Sequence, residues 1–320
     1  MGANTDGSAP LSTWRQRILR GSAIELGNYG LQQALRLGSN LILTRLLFPA
    51  AFGMASMVGM VVVGLVLLSE VGVQQFLIQS PHGEDPRYFN TAFTFQAVRG
   101  CVIALIMAAL AYPAAWFYHE PQLVSLVYLS AVQLVFAGLH STSVYTLRRR
   151  LKLGWIAILE LGQVIVNIGI MIPWAWLRPS VWPLIASGVV SSFLFGLATH
   201  FLPVGYRNRF AWDKEAYKEI SKFGRWIFGS TAVGFFSGQG DRILLGRFLG
   251  PAWLGLYSVA LSLTEAVSAV AGRLVSGIVY PVLSQAGRET GSDMSKVYYR
   301  VRLRLDPLSM AAIGFLTGFG

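Results

Sequence analysis

Cysteine is nearly missing from this chain, with Cys101 standing alone in an apolar run. A single thiol excludes an internal disulfide, and no metal-ligand spacing surrounds it, so neither a metal site nor a cofactor is expected. A small buried thiol is the expected role. Charge is also scarce. Asp, Glu, Lys and Arg make up 13% of the 320 residues, against about 25% in soluble domains. Enzyme signatures are missing as well. There is no Walker A sequence, no G-x-S-x-G, no H-E-x-x-H and no paired-cysteine site, and the loops opposite the N-terminal side are short, without a His or carboxylate cluster. An enzyme is therefore not expected. The polar N-terminal stretch carries Arg15, Arg17 and Arg20 but no short apolar core followed by a small-residue cleavage site. Met1 is read as the start and the first helix as a spanning one, not a signal peptide.

What the chain has in quantity is apolar surface. Residues of the AVILMFWYC set account for 54%, and mean hydropathy is +0.53. A membrane-crossing helix needs about 20 mostly apolar residues. Eight segments qualify, near 25–47, 50–78, 91–112, 122–147, 154–176, 181–203, 225–249 and 252–285, and a ninth begins near Tyr298. The fold class is all-α, a polytopic transmembrane helix bundle.

The net charge of +11 would suggest nucleic acid in a soluble protein, but the placement of the charges excludes it. With the N-terminus inside, the inner segments hold Arg15, Arg17, Arg20, Arg87, the run Arg148, Arg149, Arg150 and Lys152, six further cations between Arg207 and Arg225, and Arg288 through Arg304. The outer loops hold Arg178 alone. That asymmetry sets a cytoplasmic N-terminus. Trp116, Phe117 and Tyr118 on one outer loop, and Trp174, Trp176 and Trp182 at another, are expected as interfacial anchors.

The longest polar stretch follows the sixth segment. Residues 1–203 read as an N-terminal lobe of six helices, 204–224 as a cytoplasmic linker with a solvated helix, and 225–320 as a partial second lobe holding helices seven to nine. A repeat at an offset of 202 residues supports the division. GSNLILTRLLFPAAFGMAS at 38–56 aligns with GDRILLGRFLGPAWLGLYS at 240–258, with identities at Gly38/Gly240, Leu43/Leu245, Arg45/Arg247, Leu47/Leu249, Pro49/Pro251, Ala50/Ala252, Gly53/Gly255 and Ser56/Ser258. An even number of spans separates the copies, so they share one membrane orientation. Parallel repeats of this kind place substrate between the halves of a transporter.

Polar residues within spanning segments are costly unless they face protein or water. In the first helix Glu25, Asn28, Gln32, Arg36 and Asn40 step by three or four residues and share one face, widened by Gln33 and Ser39. This face is expected to line an aqueous chamber. The seventh helix carries Ser230, Gly234, Ser237 and Asp241, with Gln239 and Arg242 beside them. The eighth carries Ser258, Ser262, Glu265 and Ser268, with Arg273 further in. Glu160, Gln163 and Asn167 form a weaker stripe in the fifth helix, and Gln96 and Arg99 in the third. His140 reads as a satisfied bundle residue, and Arg45 and Arg247 as snorkelling interfacial cations. The deeper guanidiniums Arg36, Arg99, Arg242 and Arg273 suit an anionic ligand with planar oxygens.

The segments GLQQALRLGSNLILTRLLFPAAFG at 30–53, KFGRWIF at 222–228, GQGDRILLGRFLGPAWLGLYSVA at 238–260 and YPVLSQ at 280–285 resemble the oligosaccharide flippases of the multidrug/oligosaccharidyl-lipid/polysaccharide exporter superfamily. The likeness runs in order over essentially the whole chain. It implies two pseudo-symmetric lobes around a central cavity, alternating access, and a polyprenyl-diphosphate-linked oligosaccharide as cargo for cell-surface polysaccharide synthesis. Family members have about twelve to fourteen helices, so the second lobe is expected to be incomplete at Gly320. On this likeness Arg36, Arg242, Arg99 and Arg273 would hold the diphosphate. Gln32, Gln33, Asn40, Ser237 and Gln239 would bond the glycan, and Glu70, Asp241 and Glu265 are candidates for ion or proton coupling. Expected partners are the lipid-linked oligosaccharide, membrane lipids, and polysaccharide polymerase or assembly proteins. Alternatives are a cation-coupled multidrug exporter of the same superfamily, disfavoured by the helix-embedded Arg, and an integral-membrane glycan-assembly enzyme.

Overall fold

A computed structural model describes residues 11–70, 72–204 and 207–274, and within these the side chains of 23–70, 72–204, 207–222, 231 and 233–265. Among the described residues the regular elements are all helices: α1 (Leu11–Leu46), α2 (Pro49–Leu68), α3 (Val73–Gln79), α4 (Pro86–Ala109), α5 (Ala111–Tyr118), α6 (Leu123–Gly138), α7 (Ser143–Arg149), α8 (Leu153–Leu177), α9 (Trp182–His200) and α10 (Lys214–Leu274). The chain divides into two compact units, Met1–Ser258 and Val259–Gly320. The architecture below is that of the first. The ninth apolar segment and YPVLSQ at 280–285 lie outside the described residues.

Among the described residues, α2, α4, α8, α9 and the stretch Val233–Glu265 are each long and apolar enough to cross a membrane, and α6 with α7 makes a sixth candidate bent by 55°. The expected eight spans are redrawn in three places. The second, 50–78, divides because Gly72 turns with φ 66° before α3, a conformation that favours glycine. The fourth, 122–147, bends at 139–142 between α6 and α7. The first helix is long enough but too polar to rank with the others, since its stripe of Glu, Asn, Gln and Arg lowers its hydropathy. The linker helix starts at Lys214, where Asp213 caps it by accepting from the Glu215 and Ala216 amides at 2.9 and 3.0 Å, and it runs straight into the seventh segment.

The last long helix reverses direction. Gly250 adopts φ 79°, ψ −179° and is followed by Pro251, a residue that cannot donate to the preceding turn. In an unbroken helix Tyr257 would lie about 24 Å from Asp241, yet its hydroxyl donates to the Asp241 carboxylate. The arms before and after Gly250 therefore fold back on each other, so the expected division between the seventh and eighth segments falls where the chain turns. The first repeat breaks at the same register, with Pro49 opening α2, where proline's missing N–H is no loss.

The main core is built from α2, α4, α5, α6, α8 and α9, joined by Leu43 of α1 and Leu254 of α10, around Met57, Met107, Leu123 and Leu126. Lipid removes the hydrophobic drive between helices, so small residues and hydrogen bonds hold them together. Between α4 and α6, Gly100 and Gly138 meet so closely that a Cβ on Gly100 would lie 2.7 Å from the Gly138 Cα. Between α8 and α9, Asn167 donates to Ser187 at 3.2 Å and to Ser191 at 3.4 Å. The outward faces are apolar, with Val98, Val102, Leu105 and Ile106 exposed along α4. Cys101 is exposed on the same helix, which corrects the expected buried thiol: its apolar neighbours face the surroundings, not a core. The cluster at 116–118 is likewise helix, not loop. In α5, Trp116 is exposed while Tyr118 is buried in the main core.

Candidate functional site

The two repeat copies touch each other through equivalent residues. A Cβ added to Gly53 would collide with the Pro251 carbonyl, and a Cβ added to Gly255 would collide with the Pro49 carbonyl. Gly53 corresponds to Gly255 and Pro49 to Pro251, so the contact is reciprocal. Ser56 and Ser258, also equivalent, share a hydrogen bond at 2.7 Å. An isologous patch of this kind is what a two-fold relation produces. Here the two halves come from one chain and the symmetry is approximate. The contact is a closure made of backbone, because glycine removes the side chains that would hold α2 away from the arm after Gly250.

Polar groups also pair across several helices. On α1, Asn28 and Gln32 donate to Oε2 of Glu160 on α8 at 3.2 and 3.4 Å. The other oxygen, Oε1, takes the Arg148 guanidinium at 2.9 Å. Part of the α1 stripe is thus spent on a helix–helix contact, while Arg36, one turn further on, is exposed and Gln33 and Asn40 are half-buried. Glu160, ranked among the weaker stripes in the sequence, is the hub of this network. Its signal was the spacing Glu160, Gln163, Asn167, but nothing in the sequence named Arg148 as its partner.

Arg99 and Glu70 meet at 3.4 Å. Arg99 also donates to the Ser69 hydroxyl at 3.1 Å and the Val66 carbonyl at 3.2 Å. It therefore sits at the C-terminus of α2, where unpaired carbonyls and the helix dipole favour a cation. The arginine run on α7 behaves in the same structural way. Arg149 donates to the carbonyls of Leu77 at 3.1 Å and Ile78 at 3.4 Å, at the end of α3. Arg150 grips Glu84 with two bonds of 3.0 and 2.7 Å. That grip holds the Glu84 carboxyl below its ordinary range; burial opposes it, and the Arg150 and Arg149 charges add smaller lowering effects.

In α10, Asp241 is held by Tyr257 and by the Arg242 backbone N–H at 2.8 Å. Asp241 and Ser237 are exposed, and Arg242 and Gln239 are half-buried. The Gln239 Oε1 is buried and accepts no hydrogen bond among the described residues. Arg247 reaches Nδ1 of His119 at 2.7 Å and lies over the Phe117 ring. Glu265 is exposed in the second unit, and the Arg273 side chain lies outside the described residues. His140 is satisfied as expected, with its Nε2 3.2 Å from the Ser192 carbonyl.

The chain matches known proteins over the same region. The family described as polysaccharide biosynthesis protein matches residues 42–315. Among curated relatives, the teichuronic acid biosynthesis protein TuaB of Bacillus subtilis (strain 168) is 22% identical over 68% of this chain and 45% of its own length. The amylovoran biosynthesis protein AmsL of Erwinia amylovora is 23% identical over 54% of this chain and 45% of its own. The succinoglycan biosynthesis transport protein ExoT of Rhizobium meliloti (strain 1021) is 26% identical over 76% of this chain and 49% of its own. The chain thus spans about half the length of the curated relatives it matches. No solved structure matches. Several apolar helices and a match over most of the sequence make this chain a multi-pass membrane protein of the family described as polysaccharide biosynthesis protein.

Proposed function

We propose that the protein carries a polyprenyl-diphosphate-linked oligosaccharide across the cytoplasmic membrane by alternating access, with its N-terminus in the cytoplasm. The observation that carries this reading is the reciprocal contact of Gly53 with Pro251 and Gly255 with Pro49. A pair of equivalent helices that meet backbone to backbone can close one side of a path and separate to open it. ExoT is named a transport protein, and the Lys/Arg asymmetry supports the orientation.

In this reading the diphosphate is held by Arg36 and Arg242, with Arg99 and Arg273 assisting. It competes with Glu70 for Arg99, so ligand and carboxylate exchange on one guanidinium. Gln32, Gln33, Asn40, Ser237 and Gln239 bond sugar hydroxyls, and the buried Gln239 Oε1 offers an acceptor for one of them. Glu70, Asp241 and Glu265 are the groups available for ion or proton coupling. Polymerase and assembly proteins receive the product. No step makes or breaks a covalent bond, so purified protein is expected to yield no glycosyl-transfer product from a lipid-linked donor.

The test uses the 2.7 Å approach of Ser56 and Ser258. In a Cys101→Ser background, S56C/S258C cross-linked by oxidant is expected to stop flipping of a fluorescent lipid-linked oligosaccharide in vesicles, and reductant is expected to restore it. Unchanged flipping in the fully cross-linked protein overturns alternating access through this contact. Normal flipping by both Arg36→Ala and Arg242→Ala would remove the diphosphate clamp while leaving the gate.

A further inference from the structure

A second polar feature lies away from the repeat contact, where α4 begins and α9 ends. A cleft of about 630 Å³ opens there, lined by Asn90 of α4, His200 of α9, Phe201, and Arg207 and Arg209 of the segment that follows. Its wall is firmly built. The extended segment after α9 is laid along α4 by alternate backbone amides. Arg209 N–H donates to the Asn90 side-chain oxygen at 2.9 Å, Ala211 N–H to Thr94 at 3.0 Å and Asp213 N–H to Thr91 at 3.1 Å. Asn208 is tied to Thr142 at 2.7 Å. These bonds fix the backbone that bears Arg209 and leave its side chain uncommitted.

The guanidiniums of Arg207 and Arg209 are exposed, and among the described residues neither has a carboxylate within ion-pair distance. That is unusual beside Arg148, Arg149 and Arg150, each of which has a defined partner. His200, in the same wall, spends its ring nitrogen on the Leu139 carbonyl at 3.0 Å. Apolar groups flank the cations. Phe201 is 83% exposed and Phe210 is 70% exposed. Phe210 packs on Phe93 at 5.1 Å between centroids, and Phe93 meets the His200 ring at 5.8 Å. Two cations without an ion-pair partner among the described residues, in the segment between two long helices and beside exposed aromatics, match the boundary between headgroups and acyl chains.

We propose that this cleft binds the phosphodiester headgroup of a resident anionic phospholipid. Its phosphate would lie between Arg207 and Arg209, and its chains would pass Phe201 along α9. The occupant is a bilayer lipid, not the cargo, because the cleft is walled by α4, α9 and the segment after α9, whereas the repeat contact is made by α2 and α10. The lipid would tie the start of the linker to the end of the first six-helix lobe and fix its depth in the bilayer.

The experiment reconstitutes the full chain in phosphatidylcholine vesicles containing a minority of spin-labelled phosphatidylglycerol and measures the motionally restricted lipid. Wild type is expected to prefer phosphatidylglycerol, and Arg207→Gln/Arg209→Gln to lose the preference by about fivefold per side chain, the ~1 kcal/mol a basic group contributes at an anionic surface. Arg207→Gln alone, whose backbone makes none of the anchoring bonds, is expected to show half the loss and guards against a fold defect. Excess inorganic phosphate is expected not to compete, which separates a lipid from a free ion. Equal phosphatidylglycerol association in wild type and the double variant overturns the proposal. So does a double variant that loses a labelled polyprenyl diphosphate while keeping phosphatidylglycerol, because the cleft would then be a cargo site. A flippase reading that fails the cross-linking test leaves this outcome unaffected.

Discussion

Two glycine contacts in this molecule look alike and differ in their surroundings. Gly100 on α4 meets Gly138 on α6 inside a shell of further fastenings. Gln96 reaches across to the Ala137 carbonyl at 3.5 Å, and Ile103, Ala104, Met107, Ala131 and Leu134 pack in the same core. Gly53 and Gly255 meet the carbonyls of Pro251 and Pro49, with Leu254 buried beside them and one serine pair, Ser56 and Ser258, as the polar fastening. The same small-residue device thus serves a contact between α4 and α6 and a contact between repeats. The two contacts differ in what they join: two packed helices in the first, a repeat copy and its counterpart in the second.

Substitution can break this comparison. Gly53→Leu is expected to give the largest effect, a fall of about tenfold or more in flipping, because a side chain worth ~1–3 kcal/mol of overpacking bears on one conformational state. Its melting temperature in detergent is expected to stay near that of wild type. Gly100→Leu should show the opposite pattern, with a stability loss of about 1–3 kcal/mol and reduced accumulation in the membrane. If both variants melt early, the contact between repeats is as structural as the one between α4 and α6. Arg148→Ala comes next. It strips the Glu160 carboxylate of its cation, and because both groups are about one-third exposed the loss is set at about 1–2 kcal/mol, below that of a fully buried pair. Glu160→Gln/Arg148→Ala should recover part of it, read as a return in melting temperature.

The smallest effect concerns Glu84. Arg150 lowers its folded-state pKa below the ordinary 4.5, so its contribution to stability is complete above that value and is lost as pH falls through the lower folded one. The pair is partly solvent-exposed, which limits the change to less than about 1 kcal/mol. Arg150→Gln should flatten this part of an acid-denaturation profile without altering flipping at neutral pH. An unchanged profile would show that the pair adds nothing to stability.

Much of the fold was legible from composition and periodicity. Long apolar runs located α4, α8 and α9 within a few residues, since nothing competes with a helix in lipid. Boundaries failed where single residues redirect the backbone, at Gly72 and between α6 and α7, because hydropathy averaged over a window does not register one turn. The repeat at an offset of 202 marked Gly53, Pro49 and Ser56 as positions of consequence, yet gave no sign that each copy touches its own counterpart. The polar stripe of α1 was visible, but not its division between Asn28 and Gln32, which meet Glu160, and Arg36, which is exposed. Helical spacing assigns residues to a face and leaves open what that face meets.

By itself the sequence determined that this is a polytopic helical membrane protein with an internal repeat at an offset of 202 residues. Those features follow from local chemistry: which segments prefer lipid, which break a helix and where charge is tolerated. Only the tertiary structure decided the partners. Arg99 turned to the end of α2 and Glu70, Glu160 became a hub, Gly250 folded α10 back on itself, and Arg207 and Arg209 met no carboxylate among the described residues. Partnership depends on how helices approach and rotate about their axes, a property of the packed whole that no single segment encodes.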